Sequence, residues 1–275
     1  MEPFKITGPK YFAIESWMND NSGLLAGFST KNGGVSQGDF SGLNFGFHVG
    51  DDSLSVLKNR ELLSQEIAFP LECWIGAEQT HEVRVQKVTK ADRGKGSDRY
   101  ETSFLRTDGF FTDDRGVMLT LCFADCVPIY FIDKEKGFIG VVHAGWKGSV
   151  GGIAKEMVSV FVQNGSHLSA ISVIIGPSIC KKCYIVDERV IKLVEKGLEG
   201  VEKKPYNQIN TVQYSLDLKE LNKQILLKAG VQQVNISVTS YCTSCDSDYF
   251  YSHRGDQGKT GRMLAFIGWK EELHS

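Results

Sequence analysis

The sequence predicts an α/β fold built on mixed sheets, and three observations lead to it. Short apolar runs of strand length dominate the first half of the chain, whereas strand-like and helical patterns alternate only in the second half. No Pro- or Ser-rich linker interrupts the 275 residues, so residues 1–275 read as a single domain. An apolar fraction of 41% against 23% charged residues is enough for a sizeable core.

Leu24 to Phe28 predicts a strand, closed by a turn at Gly33-Gly34. Asp51 to Ile67 predicts a helix from its Asp and Ser start, with Leu54, Leu57, Leu62 and Leu63 roughly on one face. Glu72 to Ala77 predicts a strand running into Gln79-Thr80-His81, and Val83, Val85 and Val88 begin another, so His81 sits at a strand-to-strand corner. Lys87 to Arg99, basic and rich in Gly and Asp, predicts a mobile surface loop first and an anionic-ligand lip second. After a short strand at Asp108 to Phe111 come three apolar strands, Val117 to Phe123, Val127 to Ile132 and Gly137 to Val142. A long helix follows from Gly148 to Asn164, with Met157, Val158, Phe161 and Val162 as its buried face. Ala170 to Ile175, Val234 to Val238 and Met263 to Trp269 complete the strands; Asp187 to Lys196 and Asp217 to Ala229 are helices, the second closed by Gly230.

A net charge of −2 without a long basic run leaves no electrostatic footprint for nucleic acid. No apolar run approaches the roughly 20 residues of a membrane span. The N-terminal stretch MEPFKITGPKYFAIESW lacks the basic and apolar regions of an export signal. With seven cysteines, an odd number, the expectation is a cytoplasmic protein with reduced thiols.

The chemistry concentrates between Gly116 and Gly152. Cys126 stands at the break between two predicted strands, and His143 ends a third and opens the turn Gly145-Trp146-Lys147-Gly148. Together with His81 they form a His, Cys, His set of the kind that binds zinc with a fourth position left open. Taken one at a time, each imidazole also reads as a hydrogen-bonded structural residue and the thiol as a small buried hydrophobe. A trigonal set of this type suits copper as well, but no Met adjoins it, and six histidines are too few for a multi-copper oxidase. A metal-free alternative makes Cys126 a thiolate nucleophile with His143 as its base, with the charge of neighbouring Asp125 working against the thiolate.

The Gly145 to Gly148 turn, where a strand enters a helix, either suits an anion through backbone N–H groups and Lys147, although it is not a Walker A motif, or only makes room for Trp146 to pack. Arg254 and Arg262 either complete an anion site or pair with Asp217 or Asp256. Two CxxC pairs, Cys180 with Cys183 and Cys242 with Cys245, lie too far apart for a zinc ribbon, so buried thiols near the core are favoured over a four-thiolate site.

The segments GFSTKNGGVS, NFGFHVGDD, QTH, ADCVPI, HAGWKG, IGPSIC with KKCY, CT, and SHR with TGR closely resemble the YfiH-like, or laccase-domain, family from about Gly27 to Gly268. That resemblance implies a zinc-dependent purine nucleoside phosphorylase acting on adenosine, inosine and methylthioadenosine, with adenosine deaminase activity, and it places Zn²⁺ on His81, Cys126 and His143. It also implies packed mixed sheets flanked by helices, similar to the cysteine hydrolases of the cytotoxic-necrotizing-factor type. The chain departs from the family at Cys180, where Gly is commoner. The partners implied are purine nucleosides and inorganic phosphate, with a monomer or homodimer as the assembly. Phosphate is expected near the metal and the Gly145 to Gly148 turn, with Lys147 or Arg254 beside it; His48 and Asp108 are candidates for acid–base work or ribose contacts. The competing reading is a cysteine hydrolase using Cys126 and His143, suited to peptidoglycan-precursor editing, with copper-dependent phenol oxidation behind it.

Overall fold

The computed structural model describes residues 2–271; residue 1 and residues 272–275 of the expected span lie outside the described residues. The strands form three sheets. The first runs, edge to edge, Lys5–Ile6, Tyr11–Ala13, Leu24–Ser29, Met263–Trp269, Val117–Phe123 and Trp74–Ile75, all antiparallel except the last pair. The second runs Ile236–Val238, Ile171–Ile175, Val127–Asp133, Phe138–Ala144, Gly109–Thr112 and Val85–Lys87, with parallel pairs only at its two edges. A small antiparallel sheet joins Ile185–Asp187, Gln213–Leu216 and Tyr206–Gln208. Mixed sheets are what the sequence predicts.

The layers follow from side-chain parity. Every residue of Val127–Asp133 is buried, because both faces of its sheet are covered. Tyr130 and Ile132 point into the core shared with Leu119, Leu121, Ala265 and Ile267 of the first sheet. Val127, Ile129 and Phe131 point the other way, onto Met157, Phe161, Leu221 and Leu226 of two helices, Ile153–Gln163 and Leu218–Lys228. The Tyr130 hydroxyl donates to the Gly27 carbonyl at 2.7 Å, tying the sheets together across their core. On the outer face of the first sheet, Leu25, Met118 and Phe266 meet Leu63 and Trp74. Consecutive strands in sequence therefore need not be neighbours: Val117–Phe123 and Val127–Asp133 belong to facing sheets.

Several predicted elements change in detail. The helix after the central strands is two helices, Trp146–Gly151 and Ile153–Gln163, broken at Gly152, whose φ of 87° lies outside the helical region. Val162, expected in the core, is 43% exposed because it falls past the edge of the face that Met157, Val158 and Phe161 bury. The early helix spans Ser53–Glu66 with Asp52 as its N-cap, but Leu54 is exposed. Its buried face instead carries Asn59 and Arg60, whose side chains donate to the carbonyls of Gly42, Asn44, Phe45, Gly96 and Ser97. The predicted strand at Glu72 to Ala77 shrinks to Trp74–Ile75. Residues 87–99 are pinned rather than free, by those Arg60 bonds and by a capping box between Thr89 and Asp92. No helix among the described residues is long and apolar enough to cross a membrane.

Candidate metal centre

One antiparallel pairing brings Cys126 and His143 together. Val127 lies opposite Ala144 and Pro128 opposite His143, so Cys126, one residue before its strand, reaches the end of the neighbouring one. His143 shares the parity of Val141 and turns its ring toward the core between the sheets, against Phe123 at a centroid distance of 5.2 Å. His81 arrives from the opposite side, in the connection that leaves Trp74–Ile75 of the first sheet for Val85–Lys87 of the second. The site therefore sits at one end of the sandwich, where the two sheets exchange chain.

Asp108 organises both imidazoles. Fully buried, it accepts the backbone N–H groups of Thr80, His81 and Glu82 at 3.2, 3.1 and 2.9 Å. Its Oδ1 also lies 2.8 Å from His143 Nδ1. These three hydrogen bonds hold the His81 turn, where φ reaches 63° and costs of order 1–3 kcal/mol to maintain. The bond to Nδ1 leaves Nε2 of His143 for a ligand, which is the carboxylate–histidine arrangement of metal sites. Gly145 lets the groups close up: a Cβ there would stand 2.9 Å from both Cys126 Sγ and His81 Cδ2.

Ligand atoms of His81, Cys126 and His143 all lie within 4.8 Å of one another, and the two imidazole centroids are 4.7 Å apart. Burial pushes the Cys126 thiol up, but the imidazoles of His143 and His81 outweigh it and bring the thiol down to about 6. Burial lowers His143, yet Cys126 and Asp108 outweigh that and hold it up at about 9. Each group thus favours the charged form of the other. The Asp125 carboxylate beside this pair accepts the Thr243 and Ser252 hydroxyls and the Arg254 amide. One soft anionic sulfur and two imidazoles, with an outer carboxylate fixing one ring, fit Zn²⁺.

Cys126 and His81 open onto a cavity of about 310 Å³, within the size range of a small-ligand site. Lys147 and Arg254 are on its wall, with Trp146, Ile179, Tyr184 and His253. Arg254 donates to the Ile185 carbonyl at 3.0 Å and lies over the Tyr184 ring; neither Asp217 nor Asp256 is its recorded partner. Arg262 is turned inward onto the carbonyls of Thr260 and Gly261 and does not line the cavity. The Gly145 to Gly148 turn opens a helix of only six residues, so its attraction for an anion rests on Lys147 rather than on an extended helix dipole. Asp108 lies beneath the cavity instead of on its wall. His48 lines a separate small crevice with Tyr100, Cys122 and Gln79; packing around it, then the charges of Arg262 and Arg60, lower its pKa to about 4. A larger open groove of about 840 Å³ borders Leu57, Arg93 and Asp98 and has no thiol or imidazole in its lining.

Sequence reasoning missed Tyr184, His253 and the role of Asp125. Burial, then the neighbouring Cys126 charge, raise the Tyr184 phenol to about 12, so it faces the cavity as a donor at neutral pH. Asp125, at φ 81°, gathers Ile179, Thr243, Ser252 and Arg254 around one residue. Its only sequence signal is adjacency to Cys126. The expectation of separate buried thiols also fails. Cys180, Cys183, Cys242 and Cys245 converge as a second group of potential ligands, and three of the four are partly or fully exposed.

A family model described as multi-copper polyphenol oxidoreductase laccase matches residues 25–270. The chain is 49% identical to the purine nucleoside phosphorylase YlmD of Bacillus subtilis (strain 168), covering 98% of each protein. It is similar to the crystal structure of YlmD from Geobacillus stearothermophilus, with a TM-score of 0.96 and 45% identity over 98% of this chain and 100% of that one. The crystal structure of a Bacillus licheniformis hypothetical protein YfiH gives a TM-score of 0.95 and 44% identity, with the same coverage.

Proposed function

Because the chain belongs to the YfiH-like, laccase-domain family, we propose that it is a purine nucleoside phosphorylase, cleaving adenosine, inosine and methylthioadenosine with phosphate to free base and the ribose 1-phosphate. The observation that supports this most is the joining of the His81, Cys126 and His143 set with two cationic side chains, Lys147 and Arg254, on one cavity. His81, Cys126 and His143 would hold Zn²⁺, which when bound would supply Lewis acidity toward an oxygen of phosphate or, for deamination of adenosine, of water. Phosphate lies against Lys147 and Arg254, which neutralise its charge and hold it for attack at the ribose C1′. Trp146 and Tyr184 offer flat faces for the purine, and the Tyr184 hydroxyl is a donor that keeps its proton. Asp108 acts through His81 and His143 by fixing their positions. His48, neutral at physiological pH and outside the cavity lining, is assigned no contact with substrate.

The experiment is to supply adenosine with and without phosphate and to follow adenine, ribose 1-phosphate and inosine. Adenine and ribose 1-phosphate should form only with phosphate, inosine independently of it; base release that ignores phosphate would refute phosphorolysis. The alignment of Cys126, His143 and Asp108 supports a second reading, a cysteine hydrolase with a thiol, imidazole and carboxylate in series, as in the enzymes of the cytotoxic-necrotizing-factor type. That reading predicts full activity after chelation and covalent labelling of Cys126 by a substrate-like electrophile. Copper-dependent phenol oxidation has less support, since the chain holds six histidines and one His-containing ligand group among the described residues.

A further inference from the structure

We propose that Cys180, Cys183, Cys242 and Cys245 form a second metal site, holding one tetrahedral zinc ion through four thiolates. The ligand sulfurs all lie within 4.8 Å of one another. Cys245 Sγ stands 3.4 Å from Cys183 Sγ and 3.9 Å from Cys180 Sγ. A Zn–S bond of about 2.3 Å in a tetrahedron separates sulfurs by roughly 3.8 Å. The same spacings are far beyond a disulfide bond of about 2.05 Å, and all four cysteines are free. A cluster of several irons needs its thiols spread around it, whereas these converge on a single point.

The backbone folds both pairs into turns and supplies donors to one of the sulfurs. Each CxxC pair is folded into a tight turn: Cys183 and Tyr184 donate to the Cys180 carbonyl, and Asp246 donates to that of Cys242. Two amides, of Cys180 and Cys245, donate to Cys242 Sγ at 3.2 and 3.4 Å. Amide donors aimed at one sulfur favour its anionic form. The Asp246 carboxylate accepts the Cys242 amide at 2.8 Å, fixing the second turn from outside.

The spacing in sequence, too long for a zinc ribbon, is explained by topology. Ile171–Ile175 and Ile236–Val238 are adjacent parallel strands, and each CxxC turn follows the end of one of them. The first turn leads to Tyr184 and the second to His253 and Arg254, all three on the wall of the cavity described above. An ion there clamps the two wall segments together, a role independent of what the cavity binds.

The test is metal content of the full chain by mass spectrometry in wild type, Cys126→Ser and the double variant Cys183→Ser/Cys245→Ser. Each variant should lose half of the zinc carried by wild type, and Cys126→Ser should keep the half bound by the four thiolates. The double variant risks unfolding, so Co²⁺-loaded Cys126→Ser gives an independent reading. It should retain most of the sulfur-to-cobalt charge-transfer absorbance, because four of five thiolate ligands remain. A charge-transfer band that vanishes with Cys126, a folded double variant with undiminished zinc, or four cysteines recovered as disulfides in metal-free protein would overturn the proposal. Failure of the His81, Cys126 and His143 centre alone would leave the four-thiolate signal in place, so the two sites are judged separately.

Discussion

Gly145 decides how near the thiol and the imidazole can come. Its φ of −66° and ψ of 173° are open to any residue, so Gly145→Ala leaves the backbone unstrained and tests spacing alone. The added Cβ would press on Cys126 Sγ and His81 Cδ2 at 2.9 Å, and we expect the folded variant to lose metal and at least about tenfold in activity, or about 1.4 kcal/mol. Wild-type metal content and rate in that variant would show that the glycine protects something else. His81, Cys126 and His143 were candidates because each was read at a strand end or corner beside a turn, and the resemblance to the YfiH-like family singled out the set; His81 in fact lies in the loop between Trp74–Ile75 and Val85–Lys87. Tyr184 and His253 fell inside the segments KKCY and SHR that carry the family resemblance but were given no role, since neither stands beside the predicted His, Cys, His set in sequence. Asp108 was legible as a candidate but not in its role, which depends on three amides brought to it by a turn of left-handed backbone.

Among the elements, the N-terminal segment is stapled by one side chain. The Glu2 carboxylate accepts from the Thr239 hydroxyl, from the amide and hydroxyl of Ser240, and from the Phe4 amide. Burial raises its pKa, but the bonds to Thr239 and Ser240 outweigh that, and the net shift is downward. A lowered carboxylate pKa means stability that is fully present above the ordinary value and lost as pH falls through the folded one. Glu2→Ala should therefore melt lower than wild type at pH 7, on the order of 2 °C. The difference should shrink as pH falls below the ordinary glutamate range. A gap that persists in acid would mean packing, not the carboxylate, holds the segment.

Element type was readable where an apolar run had strand length, as at Met263–Trp269, and helix starts were readable from Asp187 and Asp217, both of which cap through their side chains. The helix at Ser53–Glu66 hid its buried face because polar side chains do the anchoring there. The Gly152 break was invisible among the neighbouring small residues.

For the whole molecule, the sequence indicated mixed sheets but not which strand belongs to which sheet. Apolar runs buried on both faces look alike, so Val117–Phe123 and Val127–Asp133 gave no sign of lying in opposite sheets. That partition creates the site, since His81 passes from one sheet to the other while Cys126 and His143 close the end of the second. The four-cysteine grouping was weighed and set aside for the same reason: its halves follow two strands that are adjacent in space and remote in sequence.

The account stands on a divalent ion at His81, Cys126 and His143 serving phosphorolysis on the cavity it faces. The direct measurement is phosphate-dependent release of adenine from adenosine by wild type as purified, after chelation, and after return of Zn²⁺, with Cys126→Ser in parallel. Activity should fall with the metal at this centre, return with Zn²⁺, and remain absent in Cys126→Ser. Full phosphate-dependent turnover by protein shown to be metal-free would contradict it.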